Sequence, residues 1–439
     1  YPFLRQPTPL YAPSSSNWRA LPLVATGVQA HTNTGGNMRV RKMLAGGALI
    51  ALALSALMLG GCNNSSAASG TNGVKTVKIG IGAPLTAGSV AQGLGIKRGA
   101  ELAIQQANAS ATATAAGIKF VGVPGDDQGD PKSGVTVANT FASDRAMVGI
   151  VGHLNSGVTI PASKVYNDAK LAMISPAATN PGLTLQGLNN VFRVCTIDSV
   201  QGPTAADVAF GKFGAKKVVV IDDSTPYGEG LASEFGKQFT ANGGQIVLTE
   251  KTSDKDSDFN ALVTKIQAAN PDLVYYGGVY NAGAILSKQL KNGGVKVPMM
   301  GGDGLFDAQY IALAGAAAAE GDMVTSVGLP MGSLPMGQEF QAAYAKAFPG
   351  QEVGAYDAYS YDAANVLIDA VLGVAKDKGA AAVTTPAGRD AIIAGVAKTN
   401  TNGVTGKISF DAHGDTTNKA ITVYRIQGGK FVPYMVPGQ

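Results

Sequence analysis

Several short stretches of this 439-residue chain carry side chains able to hydrogen-bond a small polar molecule. They are Asp126-Asp127, His153 to Ser156, Ser175 to Thr179, Asp222 to Tyr227, Gly277 to Tyr280, and Asp303 within Gly301-Gly302-Asp303-Gly304. The set is made of hydroxyls, aromatics, glycines and isolated acids, which suits capture of a ligand rather than bond cleavage. His153 and Ser156 are close in sequence, but no acid–base–nucleophile set accompanies them. No G-x-S-x-G elbow and no G-x-x-x-x-G-K-[ST] loop is present, and Gly80-Ile81-Gly82 lacks the third glycine of a dinucleotide fingerprint. Two cysteines (Cys62, Cys195) and three histidines (His31, His153, His413) form no zinc or iron–sulfur spacing, so neither metal nor cofactor is expected.

Each of these residues also has a plainer reading. Ser156 can serve as a helix cap. Asp126-Asp127 and Asp222-Asp223 are expected to accept loop N–H groups. His153 is expected to be structural, Tyr275 and Tyr276 to pack in a strand, and Cys195 to be a buried, inert thiol.

These residues sit where strands should end. Short apolar runs alternate with helical spacing from Val74 onward. Strands are predicted at 76–82, 119–123, 147–152, 172–175, 217–222, 245–249, 273–276 and 297–300. Helices are predicted at 93–109, 131–144, 156–169, 202–213, 228–241, 259–269 and 282–292. Such alternation indicates parallel α/β sheets covered by helices. It persists too long for one open sheet, so two lobes are expected, with 191–201 as a first crossing between them. Long helices at 338–348 and 356–376, then strands at 407–410 and 420–427, indicate that the chain revisits both lobes. Ligands of open α/β sheets bind beyond the carboxyl ends of the strands, where the candidate residues lie.

The formal charge of +4 comes from the N-terminal segment. Residues 1–61 hold Arg5, Arg19, Arg39, Arg41 and Lys42 and no acid. Removing those five from the 34 basic residues leaves 29 against 30 acids, about −1, for residues 62–439. The body carries no basic footprint for nucleic acid. Met38-Arg39-Val40-Arg41-Lys42 is followed by an apolar run from Leu44 to Leu59 and then by Gly60-Gly61-Cys62. This is the order of a secretory signal peptide, and small residues before a cysteine resemble a bacterial lipobox with Cys62 as the lipidated residue. The competing reading is one uncleaved membrane-spanning helix. Residues 62–73 read as a flexible tether, and residues 1–37 as a non-native segment upstream of a start at Met38.

Ordered motifs along the body resemble one family. They are Gly152-His153-Leu154-Asn155-Ser156, Ser175-Pro176-Ala177-Ala178-Thr179-Asn180-Pro181, Gln201-Gly202-Pro203-Thr204-Ala205-Ala206, Tyr227-Gly228-Glu229-Gly230, Asp272 to Gly278, and Ser409 to Asp415. From about Val74 to the C-terminus the chain is similar to the periplasmic leucine/isoleucine/valine-binding proteins of ABC importers. The resemblance implies a zwitterionic amino acid held between two lobes. Ser156 and the helix it opens would meet the carboxylate, Ala177 and Thr179 the ammonium and carboxylate, and Tyr227 and Asp303 would close from the other lobe, Asp303 on the ammonium. Three departures stand out. Asn155 and Gly129 occupy positions where relatives can carry a disulfide. Gln92 stands where an aromatic often packs on the ligand side chain. Val279 replaces a Tyr. The last two remodel the side-chain pocket, and Gln92 either admits a polar side chain or turns to solvent.

The expected fold is therefore α/β, a two-lobe type I periplasmic binding protein with mostly parallel, helix-covered sheets and three hinge crossings. The lobes are placed at 74–193 plus 325–404 and at 198–322 plus 406–439. The expected function is capture of an amino acid, first a branched-chain aliphatic, for delivery to membrane permease subunits by a monomeric, membrane-anchored lipoprotein of the periplasm or cell surface. The alternatives are a receptor for another amino acid or small amide, a sensory lipoprotein without transport, and, last, a small-amide hydrolase.

Overall fold

The computed structural model describes residues 73–438. The signal-peptide, tether and Cys62 expectations, apart from Gly73, lie outside the described residues.

Two sheets organise the body. The first contains β1 (Lys75–Ala83), β2 (Ile118–Asp126), β3 (Met147–Gly152), β4 (Ala172–Ser175) and β5 (Val191–Arg193), all parallel, in the order β2-β1-β3-β4-β5. Every residue of β3 is buried, as expected for a central parallel strand covered on both faces. One face packs Ile79, Ile81 and Val148 against Ile96 and Leu367. The other packs Ile150 and Met173 against Phe141 and Tyr166.

The second sheet contains β6 (Lys217–Asp222), β7 (Gln245–Lys251), β8 (Leu273–Gly277), β9 (Met299–Gly301) and β10 (Met323–Val327), together with two strands from the end of the chain. Those two are β13 (Ile421–Gln427) and β14 (Lys430–Met435), and a hairpin of β11 (Asn400–Gly403) and β12 (Gly406–Ser409) precedes them. The order is β14-β13-β10-β9-β8-β6-β7. It is parallel from β7 to β10 and antiparallel from β10 to β14. The two-residue period of a strand divides its core cleanly. Val218 and Val220 face Phe235 and Tyr275 on one side, while Val219, Ile221 and Tyr276 face Leu286 and Tyr310 on the other.

The chain passes between the two bodies three times. The first crossing follows β5 and is short, because the helix Asp198–Asp207 already packs on Pro226–Ala241 beside the second sheet. That helix begins before the predicted Gly202, and its continuation over Val208–Phe213 is wound as a π-helix. The other two crossings come later in sequence than expected. Thr325 belongs to β10, paired with Val423 inside the second sheet, so the return to the first body follows Val327 rather than beginning at Thr325. The β11–β12 hairpin also stays with the first body. Ile408 lies in its core, and the Val404 and Thr405 N–H groups donate to Asp362. The third crossing therefore follows Ser409 rather than Gly406. The returning helix Asp357–Lys378 packs along Val90–Ala109.

The crossings are tied to one another. Arg193, fully buried, pairs with Asp415 and also donates to the carbonyls of Ala178 (2.8 Å) and Asn180 (2.9 Å) and to the Thr184 hydroxyl (2.7 Å). Arg193 and Asp415 also form an isolated parallel bridge. The Thr422 hydroxyl donates to the Gly328 carbonyl over 2.7 Å, joining the second crossing to the third.

Candidate functional site

Between the two sheets lies a small cavity of about 20 Å³, lined by Gln92, Leu154, Asn155, Ser156, Ala177, Tyr227, Val279, Asp303, Gly304 and Tyr356. It holds six of the seven ligand-contact residues anticipated from the sequence. Thr179 is buried but does not line it; its carbonyl accepts the N–H of Asp198 (3.0 Å).

From the first body, Ser156 opens the helix Ser156–Asp168 directly after β3. The Asn155 cap makes no side-chain bond, and its carbonyl takes the N–H groups of Val158 and Thr159. The N–H groups of Ser156 and Gly157 have no acceptor within the helix and remain available to an anion. The Ser156 hydroxyl accepts the Asn180 N–H at 3.2 Å, which fixes its position.

From the second body, Asp303 follows β9 and is 1% exposed. Its Oδ1 accepts from the Tyr227 hydroxyl and from Gln201 Nε2, both at 2.9 Å, and its Oδ2 from the Tyr356 hydroxyl at 2.7 Å. Burial raises the Asp303 carboxyl above its ordinary range, against the pull of those three donors. Burial, and then the Asp303 charge, push Tyr227 well above its ordinary value, so it stays a donor. Tyr227 also accepts the Gly304 N–H (3.0 Å). Glycines flank Asp303 because a Cβ on Gly302 would stand 2.4 Å from the Tyr227 oxygen, and one on Gly304 3.0 Å from it.

Behind Asp303, Gln201 joins two acids. Its Nε2 also reaches Asp198 Oδ1 (3.2 Å), while its Oε1 accepts the Asp303 N–H (2.9 Å) and the Thr325 hydroxyl (2.7 Å). Burial and then the Asp303 charge push Asp198 up to about 8. Sequence reasoning missed Tyr356 and the bridging role of Gln201. Tyr356 precedes the helix Asp357–Lys378 and carries no local signal of a cleft role. Gln201 stands in a Gln-Gly-Pro run whose local sequence carries no sign of that bridge.

The plainer readings hold for the remaining candidates. His153 is fully buried between Asp127 (2.6 Å) and Tyr166 (2.8 Å). Asp126 accepts the N–H groups of Leu85 and Gln128, and Asp223 accepts both the N–H and the hydroxyl of Thr225. Tyr275 stacks on Phe235 with ring centroids 3.6 Å apart. Cys195 is a buried free thiol raised by burial. A Cβ on Gly129 would stand 3.6 Å from Asn155 Oδ1, so the two positions the resemblance linked to a disulfide are adjacent.

Bonds also cross the cleft outside the cavity. Asn180 Nδ2 donates to the Pro226 carbonyl (2.6 Å), Asn281 Nδ2 to that of Gly88 (2.8 Å), and the Ala91 N–H to the Tyr280 hydroxyl (3.3 Å). A carboxylate on one wall and a helix N-terminus on the other have the chemistry to meet the two ends of a small zwitterion.

The profile of the periplasmic binding protein family matches residues 76–430. The chain belongs to the periplasmic binding protein family. Among its curated relatives, a Leu/Ile/Val-binding protein homolog of Brucella abortus is 40% identical over 67% of this chain and 77% of the relative. A second homolog from the same organism is 33% identical over 85% of this chain and 96% of its own length. Among solved structures, a leucine-binding protein from Thermotoga maritima superposes with a TM-score of 0.74 at 29% identity, covering 82% of this chain and 98% of that one. A branched-chain amino acid transporter substrate-binding protein from Streptococcus pneumoniae, solved with isoleucine, gives 0.71 at 27% identity, covering 82% and 100%. This periplasmic binding protein thus shares the type I α/β fold of those structures, and the relatives named are binding proteins.

Proposed function

We propose that this periplasmic binding protein captures an α-amino acid between its two bodies, which act as lobes about the three crossings, and delivers it outside the cytoplasm to the permease of an ABC importer. The observation that carries this reading is the pairing of the buried Asp303 carboxylate, held by three donors, with the uncapped helix start at Ser156 across one cavity. The ammonium would sit at Asp303 and the carboxylate at Ser156, so each lobe would hold one charged end and the ligand would favour closure. The names of the relatives make leucine, isoleucine and valine the first ligands to test. The chain binds without turnover and acts as a monomer anchored through lipidated Cys62.

The test is a thermal-shift screen of the protein, unfolded and refolded to strip carried-over ligand, against the twenty amino acids and small amides. A ligand at 100 times its Kd stabilises by about 2.7 kcal/mol. A hit that is abolished in Asp303→Asn supports the reading. A hit that persists in that variant removes the ammonium assignment, and no hit among amino acids removes the reading.

A further inference from the structure

Gln92 does not turn to solvent. It is 2% exposed, lines the cavity, and neither its Oε1 nor its Nε2 has a hydrogen-bond partner. Asn155 Oδ1, on the same lining, is likewise buried without one. A buried carboxamide left unpaired is costly, because it has given up water for nothing. Gln92 also lies in the first turn of the helix Val90–Ala109, at the positive end of that helix. With Asp303, its partners Tyr227, Gly304 and Tyr356, and Ser156 with Ala177 assigned to the two charged ends of an amino acid, Gln92, Leu154, Asn155 and Val279 are left to face its side chain. That subsite is of mixed character: apolar Leu154 and Val279 beside carboxamides that a wholly aliphatic side chain would leave unpaired.

We propose that Gln92, seconded by Asn155, is a specificity-determining residue that hydrogen-bonds the ligand side chain. The ligand class is then amino acids whose side chain carries a hydroxyl or carboxamide, threonine foremost. This inference rests on the amino-acid reading above. Threonine and valine share a shape and differ by a hydroxyl for a methyl, so their affinity ratio isolates the bond. A site built to bond a hydroxyl rejects the analogue lacking it, whereas an apolar pocket favours valine.

The experiment is calorimetric titration of the refolded protein, its Gln92→Leu variant and its Gln92→Met variant with L-threonine and L-valine. Expected is threonine binding at least as tightly as valine in the unsubstituted protein, and a shift of the ratio by tenfold or more toward valine in both variants. Melting without ligand should occur at a higher temperature in both variants, since an unpaired buried amide has been removed. A ratio that moves less than tenfold in both variants overturns the proposal while leaving the amino-acid reading in place. No heat with any amino acid overturns both.

Discussion

The hydroxyl of Tyr356 donates to Asp303 Oδ2 over 2.7 Å, joining a residue of the first core to a carboxylate of the second body at the floor of the cavity. The carboxylate proposed to meet the ligand's ammonium thus also bonds a residue of the other body. On that reading, ligand capture and lobe closure share one acceptor. Removing the hydroxyl in Tyr356→Phe should weaken amino-acid affinity by about tenfold, within the range for a hydrogen bond to a charged group. Asp303→Asn should lose more than that. Titration calorimetry on both variants checks the order, and equal affinities in Tyr356→Phe and the unsubstituted protein would separate closure from this bond.

On the opposite wall, Ser156→Ala removes the hydroxyl that Asn180 anchors while leaving the helix start. Affinity should fall by about tenfold, or 1.4 kcal/mol. Ser156→Gly should behave alike, since the free N–H groups survive in both. Affinity in Ser156→Ala matching that of the unsubstituted protein would assign the carboxylate to the backbone alone.

The buried acid pair gives stability a pH dependence. Asp198 is raised to about 8 by burial and then by Asp303. The folded protein therefore holds a proton that the unfolded chain releases near its ordinary value of 3.8. Its contribution is fully present below about pH 4 and is lost as pH rises through 8. Asp198→Asn should flatten the fall in denaturant midpoint between pH 5 and 9, by about 1.4 kcal/mol for each unit of displaced pKa. Parallel midpoint curves in the two proteins would mean that Asp198 is ionised throughout.

At the crossings, Arg193→Met strands Asp415 in a buried setting. Unfolding free energy should drop by about 3 kcal/mol or more, and Arg193→Met with Asp415→Leu should recover part of it, since two apolar residues leave no lone charge. Urea titration of the single and double variants reads this out.

If Cys62 carries lipid, Cys62→Ser expressed in a bacterial host should move the protein from the membrane fraction to the soluble fraction. Intact mass spectrometry should find a diacylglyceryl group on the unsubstituted protein only. Equal membrane association of both would favour an uncleaved span.

Much of the fold was legible because burial on both faces writes continuous apolar runs. Met147–Gly152, Ala172–Ser175 and Lys217–Asp222 are strands over the anticipated residues. β10 was missed for a physical reason: Thr325 and Ser326 break its apolar run, yet the Thr325 hydroxyl is paired with Gln201 inside the core. The helix Pro386–Ala397 and β14 also went unread. Cavity-lining residues beyond strand ends were legible by the topology rule. Tyr356 was not, because its place depends on a helix that returns from the far side of the chain. Gln92 was legible as a departure, but only packing decides that its amide stays inside.

The bonds that span the cleft beyond the cavity, from Asn180 to Pro226, from Asn281 to Gly88 and from Ala91 to Tyr280, involve no group that lines the side-chain subsite except through their neighbours in sequence. On the proposal above, the residues that tie the two bodies at the rim of the cleft are therefore separate from those that select the cargo. A substitution at position 92 would then change the cargo while leaving the rim of the cleft, and whatever docks on it, as it was.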